Sequence, residues 1–167
     1  EGNTYTIDSS PIYANPIIYN QVDNNIGYLV YSAFESGFDQ ELFDVFKDFK
    51  TKEISDLILD LRYNGGGDVT SANLIASCIA GEACKNEVFA TYRYNDERMK
   101  ALGNQRPIQK FAYSQYDNLS TSLSAGGLKL QKIYCLVTDD SASASELVIN
   151  ALRGIDIEVI LIGTTTH

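Results

Sequence analysis

A short apolar run, Asp56 to Leu61, leads straight into Arg62-Tyr63-Asn64-Gly65-Gly66-Gly67, and a helix-forming stretch, Asp68 to Ala80, follows at once. The apolar run, bounded by glycine and free of proline, predicts a strand. The stretch after Gly67 predicts a helix with Asp68 near its N-terminus. A strand that turns through glycines directly into a helix is the repeating step of α/β proteins, and the rest of the chain keeps to it. Asn25 to Ala33 reads as a strand opened by Gly27. Phe38 to Phe49 places Phe38, Leu42, Phe46 and Phe49 three or four residues apart, the spacing of an amphipathic helix. Glu87 to Tyr94 and Gln131 to Thr138 read as strands, Ser143 to Arg153 as a helix, and Asp156 to Ile162 as a last strand. The alternation predicts an α/β architecture. Residues 95–128 are polar and rich in Ser, Asn and Gly with no clear period, a long excursion of the sort that commonly faces substrate or moves. Residues 1–24, punctuated by Pro11 and Pro16, read as an extended entry segment or linker, and residues 25–167 as the core.

Composition sets limits on partners. A length of 167 residues fits one domain, or one domain missing a piece, and 44% hydrophobic residues suffice for a core. Thirteen Lys and Arg against 22 Asp and Glu give a net charge of -9. Such a surface repels phosphate backbones, which argues against nucleic acid as a partner. No apolar run approaches the roughly 20 residues needed to cross a bilayer. The opening Glu1-Gly2-Asn3 reads like the middle of a longer protein. Cys78, Cys84 and Cys135 are too few for a disulfide scaffold. Cys78 and Cys84 are near enough in sequence to pair in an oxidising compartment, but unrelated buried thiols are the preferred reading.

Two constellations carry chemistry. In the glycine turn, freely chosen backbone angles and the N–H groups of the following helix make a place for an anion, either a phosphate or an oxyanion. The phosphate versions fit badly. Gly67 is followed by Asp68-Val69 where a P-loop needs Lys-Ser/Thr, and Thr70 stands where a dinucleotide fingerprint needs glycine. A ligand-free connector remains open. The second constellation is Thr138-Asp139-Asp140-Ser141-Ala142-Ser143-Ala144-Ser145-Glu146, again between strand and helix. A serine at a helix start sits where neighbouring amides can stabilise an oxyanion. Ser143-x-x-Glu146 also has the form of a capping box, and the two roles are compatible. A nucleophilic serine needs a base, and the only histidine is the last residue, His167. No Cys, His and carboxylate cluster has metal-ligand spacing, so neither a metal nor another cofactor is expected.

Taken together, the segments LILDLRYNGGGDVTSANLIA at 57–76 and YCLVTDDSASASELVINALRG at 134–154 resemble the C-terminal processing, or tail-specific, serine peptidases. NIGYLVYSAF at 25–34 and ILIGTTTH at 160–167 are similar to the strand that opens that family's core and to the strand and turn that precede its Gly-Lys. The resemblance implies a spiral of ββα units of the Clp protease and crotonase type, incomplete at its C-terminal end. It implies Ser143 as nucleophile and a lysine base just beyond His167. Lys132 falls where the family motif marks nothing. It further implies an oxyanion hole from the Ala144 amide and that of Gly66 or Gly67, with Arg62 bracing the glycine turn, while Glu146, through the capping box, can fix the turn that presents Ser143. Asp156 lies near the position of an aspartate that some members carry after the serine helix. The implied substrate is polypeptide, cut in unstructured or C-terminal segments of exported proteins, in the periplasm or cell envelope. A PDZ-type domain commonly precedes such a core. A non-catalytic relative that binds peptides or apolar ligands, and an acyl-CoA enzyme of the crotonase type, are the alternatives.

Overall fold

A computed structural model describes residues 14–105, 107–113, 116 and 119–167. Its centre is a five-stranded sheet. Strands β1 (Ile17–Asp23) and β2 (Ile26–Tyr31) form an antiparallel hairpin, and β3 (Asp56–Asp60), β6 (Lys132–Val137) and β7 (Glu158–Gly163) continue it in parallel, in the order β1-β2-β3-β6-β7. Helices α1 (Asp39–Thr51), α2 (Val69–Ala80) and α4 (Ala144–Arg153) make the crossovers. A second, two-stranded sheet pairs β4 (Val88–Thr91) with β5 (Ile108–Lys110), with the short helix α3 (Asp96–Leu102) between them. The fold is the expected α/β type.

Period-two alternation sends Leu29, Leu57, Leu59, Ile133, Cys135 and Val137 into one core with the helices. From α1, Leu42, Phe43, Phe46 and Phe49 meet them; Phe43 joins the predicted stripe, while Phe38, its predicted first member, precedes the helix and is half-buried. Helix α2 is buried on almost every side, from Ser71 to Ala80, as a helix between sheet and neighbouring helices must be. The opposite sheet face carries a row of paired positions, Tyr28, Ile58, Tyr134 and Ile160, that remain only half-buried.

Two features differ from the sequence reading. The sheet begins before residue 25, because β1 pairs with β2 from Ile17 onward; residues 1–13 of the entry segment lie outside the described residues. The excursion after residue 95 is anchored rather than free. Asn73 Nδ2 donates to Lys110 O (2.8 Å), Lys50 Nζ to Ser124 O (2.8 Å), and Leu128 N–H to Cys78 O (2.7 Å). Cys78, Cys84 and Cys135 are separate buried thiols, as preferred above.

Candidate active site

Because β3 and β6 are parallel neighbours, the turns that follow them emerge at the same edge of the sheet. The first is the glycine turn. Asn64 is fully buried; its Nδ2 donates to Tyr31 O (2.9 Å) and its Oδ1 accepts Gly66 N–H (2.9 Å). Gly66 O then accepts Phe34 N–H (3.0 Å), and Phe34 O accepts Asp68 N–H (2.8 Å), stitching the turn to the chain after β2. Gly67, at φ +136°, lies so close to Phe34 that a Cβ would overlap its carbonyl. Gly66, at φ +108°, packs against the second turn: a Cβ there would lie 2.8 Å from Ser143 Cβ and 3.1 Å from Ala144 N. Glycine is required at both positions by the approach of another backbone as well as by φ.

The second turn sorts its three serines. Ser141 is buried, donates from Oγ to Leu61 O (2.7 Å) and accepts Thr138 N–H (3.0 Å). Ser145 is buried and donates to Asn64 O (2.8 Å), which also accepts Ala142 N–H (3.2 Å). These two hydroxyls fasten the start of α4 to the end of β3 and the glycine turn. Ser143 is the exposed one. Its backbone sits at φ +55°, ψ -109°, a region costly for any residue with a Cβ. Glu146 holds that turn, accepting Ser143 N–H at Oε2 (3.1 Å) and Thr166 Oγ1–H at Oε1 (2.8 Å). The reciprocal contact of the capping box, from Glu146 N–H to Ser143 Oγ, is looser. The main-chain N–H of His167 donates to Ser141 O (3.1 Å), so the end of the described chain lies beside the serine turn.

Five of the sequence-predicted residues, Gly66, Gly67, Ser143, Ala144 and Glu146, therefore come together. The N–H groups of Gly65, Gly67 and Ala144 have no acceptor among the described residues, whereas that of Gly66 is taken by Asn64. Arg62 points elsewhere than expected. Its guanidinium clamps the buried Asp60, with Nη2 2.7 Å from Oδ2 and Nε 3.0 Å from Oδ1, and Tyr28 O–H adds a third bond (2.7 Å). Burial alone would raise the Asp60 carboxyl, but these partners outweigh it and hold it below the usual carboxylate range. Arg62 thus braces the end of β3, and only its carbonyl, which accepts Thr138 Oγ1–H, ties the two turns.

Asp156 is not part of the constellation. It lies beyond the C-terminal end of α4, whereas Ser143 caps its N-terminal end. A helix of 10 residues separates them by roughly 15 Å at 1.5 Å per residue. Lys132, at the start of β6, approaches Asp56 (4.0 Å) at the opposite edge. The His167 imidazole is exposed. The residues that sequence reasoning missed are Asn64, Ser141, Ser145 and Thr166. For Asn64 a signal was present, since Asn before glycines commonly bonds the backbone two residues on. No group of three or more His, Cys, Asp and Glu able to hold a metal occurs among the described residues. Nor does a thiol compete as nucleophile: burial pushes Cys84 up to about 11 and Cys135 up to about 12, and Cys78 well above its ordinary value.

A mostly parallel sheet whose edge joins a glycine turn to an exposed serine at a helix start defines an α/β protein with a candidate acyl-transfer site. The chain belongs to peptidase family S41, whose family profile matches residues 25–167. Among solved structures, an S41 protease from Bacteroides fragilis is 29% identical with a TM-score of 0.76, covering 94% of this chain and 40% of its own. The photosystem II D1 C-terminal processing protease is similar at 20% identity and TM-score 0.62, over 93% of this chain and 38% of its own. A peptidase from Parabacteroides merdae follows at 24% and 0.60, over 93% and 45%. The chain thus spans less than half the length of these three. No curated protein sequence matches it.

Proposed function

We propose that this chain is part of a serine endopeptidase that cuts unstructured or C-terminal segments of exported proteins, with Ser143 as nucleophile. The observation that carries the reading is the sorting of the serines. Two are buried and bonded as staples, while the third is exposed, on a strained backbone packed against Gly66 of the glycine turn. Strain held at one exposed hydroxyl is what presentation of a nucleophile requires.

In the proposed reaction Ser143 Oγ attacks the scissile carbonyl carbon and passes its proton to a base. The carbonyl oxygen becomes an oxyanion held by the N–H groups of Ala144 and Gly67. Collapse breaks the C–N bond, the amine leaves with the proton, and water then releases the acyl group from Ser143. The base is a lysine shortly after His167 in the longer protein, neutral at working pH through desolvation. The bond from His167 N–H to Ser141 O supports this, because residues following it start beside the nucleophile turn. An exported setting and a polypeptide substrate belong to the same proposal.

The test is turnover of an unstructured peptide by the protein extended past residue 167, beside its Ser143→Ala variant. The expected result is cleavage lost by at least 10³-fold in the variant. Equal rates in the two proteins would remove Ser143 from the chemistry.

A further inference from the structure

The residue that joins the two turns is Asn64, and we infer that it is a positioning residue of the oxyanion hole, fixing which glycine amide is free to bind the oxyanion. The inference rests on the peptidase reading of Ser143 given above. Asn64 lies fully buried at the point where three segments meet, and each of its polar groups is engaged. Its main-chain N–H donates to Leu61 O (3.0 Å), which closes the turn on the end of β3. Its Nδ2 reaches Tyr31 O at the end of β2 (2.9 Å), and its Oδ1 takes Gly66 N–H (2.9 Å). Its main-chain oxygen accepts from Ala142 N–H (3.2 Å) and Ser145 Oγ–H (2.8 Å), on either side of Ser143.

The consequence follows from counting donors. Gly65-Gly66-Gly67 offers successive N–H groups on a backbone that glycine leaves free to rotate. Without a side-chain acceptor the turn has no reason to prefer one amide over another. The Asn64 amide oxygen consumes that of Gly66, and the Phe34 bridge fixes Gly66 O and Asp68 N–H. What is left without an acceptor among the described residues is Gly65 N–H, on the Asp140 side of the turn, Gly67 N–H, directly after the glycine packed against Ser143, and Ala144 N–H in the serine turn. Asn64 thus takes the middle glycine amide out of the hole. The carbonyl of Asn64, with those of Leu61 and Arg62 before it, holds the glycine and serine turns in one register. A donor displaced by even a fraction of an ångström loses most of its value, because preorganisation is what an oxyanion hole supplies.

The chemistry separates positioning from mere packing. In Asn64→Ser the hydroxyl can still accept Gly66 N–H, as Ser replaces Asn in such turns more weakly. In Asn64→Ala nothing can. Both lose the bond to Tyr31 O, so both lose comparable stability. Kinetics on the longer protein should show kcat per folded molecule lowered about 10²- to 10³-fold in Asn64→Ala. In Asn64→Ser the loss should stay within about tenfold, with KM changed less than about threefold in either. Equal kcat in the two variants, or a loss confined to KM, would overturn the assignment. Amide exchange of the unsubstituted chain needs no variant to fold. Gly66 N–H should be protected and Gly67 N–H exchange freely; fast exchange at Gly66 would also overturn it. Failure of the Ser143→Ala test removes the peptidase reading itself and leaves the exchange pattern to report on Asn64 alone.

Discussion

Ser143 carries its side chain on a backbone that glycine adopts at far lower cost, and its Cβ is packed against Gly66. An exposed cap under no functional demand has no reason to keep that strain. Ser143→Gly should therefore stabilise the chain, by about 0.5–1 kcal/mol, while removing the hydroxyl. Thermal melts should show a rise of about 2–4 °C for each kcal/mol in a chain of this size. Ser143→Ala keeps the Cβ and the strain, and should melt below the glycine variant; the reverse order would contradict the strained backbone. Serine spacing alone in Ser141-Ala142-Ser143-Ala144-Ser145 cannot tell staples from nucleophile, because all three are the same residue in the same small-residue setting. The family resemblance selected Ser143. Burial and partners give the physical ground, since only its hydroxyl lies on the exposed side.

Among the elements, the regular ones were legible because their pattern is local. Strands β2, β3, β6 and β7 and helices α1, α2 and α4 lie within a few residues of where apolar spacing puts them. Helix α3 and strand β5 were not, being short and anchored by contacts such as Asn73 to Lys110 that no local pattern announces. Strand β1 lies in what reads as an extended entry segment or linker; the exposed run Ile18 to Gln21 carries no buried face that would mark it as part of the sheet. Asp156 was singled out through the family resemblance as lying after the serine helix, and it does lie there, past the end of α4 and a helix length from Ser143.

The start of α1 yields a prediction of its own. Asp39 is fully buried; its Oδ2 accepts from Tyr116 O–H, but its Oδ1 has no partner among the described residues, and neither have the buried Ser71 Oγ and Tyr31 O–H. Burial raises the Asp39 carboxyl despite the bond from the Tyr116 hydroxyl. The folded state then binds this proton more tightly than the unfolded chain. Its contribution to stability is full below the unfolded value of about 4 and is lost as pH rises through the folded value. Asn in its place keeps an acceptor for Tyr116 and adds a donor that needs no proton. Asp39→Asn should raise the melting temperature at pH 7 and change it little near pH 4. A loss of stability at pH 7 would contradict the buried, unpaired oxygen.

At the scale of the whole molecule, the sheet carries its helices on one face and leaves Tyr28, Ile58, Tyr134 and Ile160 half-buried on the other, at a net charge of -9. The candidate site lies at one edge of that sheet, assembled from turns that are about 75 residues apart in sequence yet adjacent because β3 and β6 pair. Neither turn is a site without the other: the glycine turn offers the Gly67 amide, without an acceptor among the described residues, and the serine turn the hydroxyl and the Ala144 amide. The central claim is that this junction makes Ser143 a nucleophile. The measurement that tests it most directly is peptide mapping by mass spectrometry after treating the longer protein with a peptidyl phosphonate ester, which phosphonylates activated serines. A single adduct on Ser143 is predicted, forming at least about 10³-fold more slowly in the 167-residue chain, where the proposed lysine is missing. An adduct on Ser141 or Ser145, or a longer protein that cleaves peptides while Ser143 stays unmodified, would contradict the account.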